Sequence, residues 1–172
     1  MIAEAVLAGV RIGVGQPVRL MAALNVSAES FYAGSVHRDA GALRDAAQRA
    51  VAEGADIVDL GAKSTAPYRN TAIPVAEEVR RMTWAVEAVA AAVAVPLSAD
   101  TTSASVAAAA LATGASIIND VSGLHGDNAM GAVAARAEGI VLVASPGDQP
   151  IGDPIAQVRA RLADSLARAA SA

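Results

Sequence analysis

The sequence predicts an α/β protein of the (βα)8 barrel type, incomplete, with about five βα units present. Two observations carry this. Short apolar runs suited to strands buried on both faces alternate with segments of helical spacing, the pattern of a parallel sheet with right-handed crossovers. The stretch Gly54-Ala55-Asp56-Ile57-Val58-Asp59 is also echoed by Gly114-Ala115-Ser116-Ile117-Ile118-Asn119, a period of two such units. A closed barrel takes about 250 residues, so the 172 residues here hold roughly five-eighths of one. Residues 1–172 are expected to form one partial barrel domain around one core. The alternation alone also allows an open doubly wound sheet.

Residues 10–24 are expected to form a short opening hairpin, with Gly13 and Gly15 turning the chain before Val18–Leu24 makes a first buried strand that Asn25 ends. The segment from Asn25 to Arg38 is polar and irregular. Asp39 then caps a helix in which Leu43, Ala46, Ala47, Ala50 and Val51 follow helical spacing until Gly54. The second strand is Asp56–Leu60. Beyond a loop over Lys63–Ile73, Pro74 opens a long helix, with Glu77 and Glu78 near its positive end and Val75, Val79, Met82, Val86 and Val89 as its buried stripe. Pro96–Asp100 is the third strand, and the helix after it, over about Ser103–Ala112, is closed by Gly114. Ala115–Asn119 is the fourth strand. A loop from Asp120 to Asp127 leads to a helix ending at Gly139, and Ile140–Ala144 is the fifth strand. The last helix begins at Asp153-Pro154 and carries Ile155, Val158, Leu162 and Leu166 on one face.

Composition removes several function classes. The chain is 54% hydrophobic with a net charge of −4, and its pI is near 5.1. Without a basic patch, such a chain is not drawn to nucleic acid or to an anionic membrane surface. It has no cysteine, which removes disulfides, thiolate catalysis and thiolate metal sites and suits a cytoplasmic protein. The start, Met1 to Arg11, carries Glu4 and lacks the basic flank and sustained apolar run of a signal peptide or anchor, so the chain is expected to be soluble from its first residue. Three of the aromatics, Phe31, Tyr32 and Tyr68, lie in or beside loops, and Trp84 lies on a helix.

In either architecture a ligand lies beyond the carboxyl ends of the strands, where this chain puts Asn25, Asp59, Asp100 and Asn119 in succession. Any one of them could simply cap a helix or make a turn. Ser103 is available to cap the helix after Asp100, which would leave that carboxylate free. Together, two carboxylates and two carboxamides suit a flat, nitrogen-rich ring whose edge alternates donors and acceptors. They suit a metal less well, because no histidine or tight carboxylate cluster accompanies them. Lys63 is the one lysine among 13 basic residues and stands in the central loop, either as a surface cation or as a point charge near an anionic leaving group. His37 and His125 read as loop residues.

At these residues the chain resembles dihydropteroate synthase, and more closely the dihydropteroate synthase-like proteins of archaea. Residues Met21–Phe31 are similar to the family's first signature and Asp59–Pro67 to its second. Ser98-Ala99-Asp100-Thr101 is similar to its pterin-binding strand, and Ile117–Gly123 to the strand after that. The resemblance covers about residues 18–145, with Gly152–Ile155 similar to the archaeal form. It implies a transferase of folate or methanopterin-type biosynthesis that joins 6-hydroxymethyl-7,8-dihydropterin diphosphate to 4-aminobenzoate or a related arylamine. It also implies Mg2+ as cofactor. Asp100 and Asn119, with Asp59, would bind the pterin, and Asn25 would meet the metal and diphosphate. Lys63 joins Asn25 as a catalytic candidate, and Ser64, Thr65 and Pro67 would form the diphosphate and arylamine loop. Lys63 and Ala66 stand where the usual family has Glu and Arg. Ala144-Ser145-Pro146 replaces a Met-His-Met region, and the family's later Asp-Pro-Gly, Ser-Arg-Lys and Arg-x-His motifs do not occur. The expected partners are therefore the small-molecule substrates, with a homo-oligomer or a carboxyl-terminal half supplied by another chain. The alternatives are a non-catalytic pterin-binding or assembly protein and a pterin-dependent methyltransferase-like domain.

Overall fold

A computed structural model describes residues 4–26, 39–63, 73–144 and 152–172. An antiparallel hairpin, β1 (Glu4–Leu7) and β2 (Val10–Gly13), comes first. The βα series follows as β3 (Met21–Asn25), α1 (Ala40–Ala52), β4 (Ile57–Gly61), α2 (Val75–Ala90), β5 (Leu97–Asp100) and α3 (Ala104–Thr113). It ends with β6 (Ile117–Asp120), α4 (Met130–Ala134), β7 (Gly139–Leu142) and α5 (Pro154–Ala170). The five strands β3 to β7 pair in chain order and all in parallel. That order is the barrel type, left open after five strands, and it excludes a flavodoxin-like winding, whose order reverses after the first strand.

Local chemistry sets the helix ends. The Asp39 carboxylate accepts from Gly41 N at 2.8 Å and starts α1, and Asp153 accepts from Ile155 N and Ala156 N to start α5. Gly54 and Gly114 close α1 and α3 at φ +107° and +123°, a backbone region that costs glycine least. These two glycines open the repeated stretches seen in the sequence.

Pleating sends alternate residues to opposite faces. Leu24, Val58, Leu60, Leu97, Ala99 and Ile118 face the helices and join Leu43, Met82, Val86, Val89, Val106 and Ala110 in the core. Ile57 and Ile117 are buried too but lie on the other face, the concave wall of the barrel.

Several expectations need correction. The hairpin is Glu4–Gly13, turned at Ala8 and Gly9 (φ +45° and +84°), because the apolar alternation of residues 4–13 outweighs the turn signal at Gly13 and Gly15. Val18 and Leu20 are exposed, and the strand begins only at Met21, since an edge strand has a neighbour on one side alone. Val75 is exposed at the start of α2, whereas Glu78 lies in its buried stripe. The helix expected to end at Gly139 is the single-turn α4, and Gly139 already belongs to β7. The apolar stripe of α5 is open: Ile155, Val158 and Leu166 are 63%, 42% and 62% exposed. Among the described residues, no helix is long and apolar enough to cross a membrane.

The hairpin lies at the amino ends of the strands and touches both edges of the sheet. Ala8 N donates to Glu138 O at 3.2 Å, and a Cβ on Gly139 would stand 2.7 Å from Leu7 Cδ2. On the other side Arg19 donates to Arg11 O at 3.3 Å and pairs with Asp56 at 3.0 Å, whose carboxylate also accepts from Leu20 N.

Candidate functional site

The register builds the site. Asn25 pairs with Gly61, Gly61 with Asp100, and Asp100 with Asn119, so these four positions form one row across β3 to β6. All point to the concave face near the carboxyl ends. Asp59 and its partner Ser98 lie on the same face, one layer deeper. Thus Asn25, Asp59, Asp100 and Asn119 share a rim. Asp120, next to Asn119, points to the helix side, where it accepts from Ser122 N and Leu124 N and fixes the loop after β6.

Gly61 is the gap in the row. A Cβ there would stand 2.6 Å from Asn25 Oδ1 and 3.8 Å from Asp100 Oδ2, so the bare backbone lets the Asn25 side chain lean over β4.

The wall is rich in buried acceptors. Asn119 Nδ2 donates to Asp59 Oδ2 at 3.1 Å, yet Asp59 Oδ1, Asp100 Oδ1 and Asn119 Oδ1 are buried and have no hydrogen-bond partner among the described residues. Unmade hydrogen bonds at buried polar atoms are costly, and a cluster of them at a strand-end rim points to a polar ligand that would make them. Loss of hydration pushes the Asp100 carboxyl up to about 7, and the charges of Asp59, Glu78 and Asp120 add to the rise. Burial also raises Asp59, against which the Ser98 hydroxyl and the Asn119 amide act. Ser98 Oγ has no hydrogen bond of good geometry, so its pull on Asp59 is that of a nearby dipole.

A second buried pair supports the rim from behind. Thr101 Oγ1 donates to Glu78 Oε1 at 2.8 Å and accepts from Ser103 N at 3.2 Å, tying the end of β5 to α2 and to the start of α3. The cap expected of Ser103 is supplied elsewhere. Ser103 makes no side-chain cap bond, and Asp127 Oδ2 accepts from Ala104 N at 2.9 Å. Asp100 is therefore free of capping, as expected, through different residues. Glu77 lies on the surface instead, where Arg80 and Arg81 hold its carboxyl at about 2.

Lys63 stands half-buried two residues beyond Gly61. Ser64, Thr65 and Pro67 lie outside the described residues, as does His37. His125 sits on the loop after β6, 3.4 Å from Asp164 of α5. Sequence reading missed Gly61 as a gap, Ser98 as a buried hydroxyl on the wall, and the Glu78–Thr101 pair. Glu78 had a signal, since it lies four residues before Met82 on the apolar stripe of α2. Among the described residues, no group of three or more His, Cys, Asp or Glu could hold a metal ion.

Comparison with known proteins gives the family. Residues 21–168 match the family described as pterin binding enzyme. The chain is 40% identical over 139 residues to a probable bifunctional folylpolyglutamate synthase/dihydropteroate synthase of Haloferax volcanii, covering 81% of this chain and 16% of that one. It is also 40% identical over 139 residues to the inactive dihydropteroate synthase 2 of Mycobacterium bovis, covering 79% of this chain and 42% of that one. Among solved structures, Xanthomonas albilineans dihydropteroate synthase with 4-aminobenzoic acid superposes with a TM-score of 0.81 at 36% identity, covering 99% of this chain and 62% of that one. The chain thus spans less than two thirds of the length of each of these relatives.

Proposed function

Since the chain belongs to the pterin binding enzyme family, we propose that it is the amino-terminal part of a dihydropteroate synthase-type transferase, with residues 1–172 forming one partial barrel domain. The observation that carries this is the cluster of buried acceptors at Asp59, Asp100 and Asn119 that have no partner among the described residues, which suits the amino and ring N–H groups of a pterin. In this reading Asp100 and Asn119 meet the ring, with Asp59 beneath them. The reaction breaks the bond between the pterin methylene carbon and the diphosphate oxygen and forms a carbon–nitrogen bond to 4-aminobenzoate or a related arylamine. The amine gives up one proton.

The chain's residues bind and orient. Carboxylates under an electron-rich ring favour the positive charge that spreads into it as the diphosphate departs. Asn25 and Lys63 are assigned to the diphosphate end, Lys63 as a point charge, and Ser64, Thr65 and Pro67 to the loop beside it and the arylamine. Mg2+ typically takes only one or two protein oxygens and fills its shell with phosphate and water, and Asn25 Oδ1, a hard oxygen over the bare Gly61, fits that demand. When bound, the ion neutralises diphosphate charge. A cytoplasmic setting, and completion of the barrel by further residues, by another chain or by a second copy, belong to the same reading. A second reading is pterin capture without turnover, favoured by the relative named inactive.

Calorimetry tests the binding step. Asp100→Ala is expected to weaken 6-hydroxymethylpterin by about 1–3 kcal/mol, because it leaves a buried donor of the ring unmatched; unchanged affinity would falsify the assignment. Gly61→Ala separates the two ends of the site. Its Cβ would displace the Asn25 side chain, so binding of the pterin diphosphate with Mg2+ is expected to weaken about tenfold, one lost polar contact. Binding of the pterin lacking diphosphate should stay the same. Equal losses for both ligands would contradict the placement of Asn25.

A further inference from the structure

We propose that Asp59 is a positioning residue that decides which edge of a flat ring this wall accepts, by fixing which end of the Asn119 carboxamide faces the ligand. This rests on the reading of the wall as a pterin site and deepens it.

Asp59 and Asn119 are 6% and 9% exposed, and each reaches the other across β5. An ionised carboxylate only accepts hydrogen bonds, whereas a carboxamide offers an acceptor oxygen and a donor nitrogen. Opposite Asp59 Oδ2, Asn119 must therefore turn its nitrogen inward, as the 3.1 Å bond records. Its oxygen is then the end left over, buried and without a partner among the described residues. Asp59 lies one layer below the row that holds Asp100 and Asn119, so it can act on the ring through Asn119.

With Asn119 held this way, the wall presents oxygens at Asn119, Asp100 and Asp59. Acceptors at Asn119 and Asp100 in one row, with Asp59 behind Asn119, select a ring edge bearing donors, such as the 2-amino group and adjacent ring N–H of a pterin. They reject an edge where a carbonyl replaces the amino group, because two acceptors would then face each other in a buried site. Removing the negative charge of Asp59 while keeping its shape removes the constraint. In Asp59→Asn the new side chain can donate as well as accept, and the Asn119 carboxamide is free to present its nitrogen.

The test compares 6-hydroxymethylpterin with its 2-oxo counterpart, 6-hydroxymethyllumazine, by calorimetry on the unaltered chain and on Asp59→Asn. The unaltered chain should prefer the 2-amino ligand by tenfold or more, and the variant should bring that ratio to near one or invert it. An equal loss for both ligands, or an unchanged ratio, overturns the proposal and leaves Asp59 a structural residue only. If the unaltered chain binds neither probe, the pterin reading itself fails. The positioning role is then judged on the side-chain amide signals of Asn119 in 15N–1H spectra. One Asn119 Nδ2 proton should be protected from exchange in the unaltered chain and should lose protection in Asp59→Asn. Free exchange in both would refute it.

Discussion

Asp100→Asn is expected to stabilise the ligand-free chain at pH 8 while it weakens pterin binding. The Asp100 carboxyl is pushed up to about 7 by lost hydration and by the charges of Asp59, Glu78 and Asp120, whereas in an unfolded chain it titrates near 4, like any aspartate. An acid whose folded pKa lies above its unfolded value holds its proton more tightly in the folded chain. Its contribution is therefore best below about pH 4, and stability declines as the pH rises from about 4 to about 7. Above pH 7 the full cost is present, as much as ~4 kcal/mol for a shift of this size. The amide removes the charge and keeps the shape. Chemical denaturation across pH 4–8 should show the unaltered chain losing stability in that window, and the variant should show a flatter profile and a higher midpoint at pH 8. A variant less stable than the unaltered chain at pH 8 would mean that the Asp100 charge is stabilised by contacts the burial does not suggest. A residue that costs stability in the free chain and improves on binding is what a site formed ahead of its ligand requires.

The largest expected effect is on turnover. A polypeptide of these 172 residues assayed alone for dihydropteroate formation should be slower, by about a thousandfold or more, than the same polypeptide mixed with one carrying the remaining barrel strands. Among the described residues, strands β3 and β7 each have one unpaired edge, and of the residues assigned to the diphosphate end only Lys63 carries a positive charge. Preorganised positive groups there are worth several kcal/mol in the transition state, which is the stated factor in rate. The open face of α5 and the exposed Leu20 and Met21 at the β3 edge give the second polypeptide an apolar surface to cover. Full turnover by the shorter polypeptide alone would contradict this. Pterin binding without turnover in either sample would favour the capture reading.

How much of this was legible follows from which forces act locally. The order of elements, the parallel winding and the shared rim could be read because hydrophobic period, helix caps at Asp39 and Asp153, and the strand-end polar residues are all written within a few positions of one another. The hairpin at Glu4–Gly13 was misplaced because two glycines made a stronger local signal than a weakly apolar alternation. The open stripe of α5 had the right period, but period does not say whether a partner surface is present. Glu78 shows the same limit from the other side. Its spacing from Met82 puts it on the buried stripe, but a charge there needs a partner, and that partner, the Thr101 hydroxyl, lies 23 positions away. Gly61 could be read as permissive backbone, but not as the gap that Asn25 fills, because that depends on register.

The sixty-residue echo has a consequence of its own. Asp59 and Asn119 occupy the same place in the two copies, and they bond to each other at a separation of 60 residues. A faithful copy would therefore set like against like. Two carboxylates in that buried position would repel until one took up a proton, and two carboxamides would pair about equally well in either of two orientations. The backbone can keep its internal symmetry, but this one pair of side chains has to break it, and the break gives the wall a defined polarity.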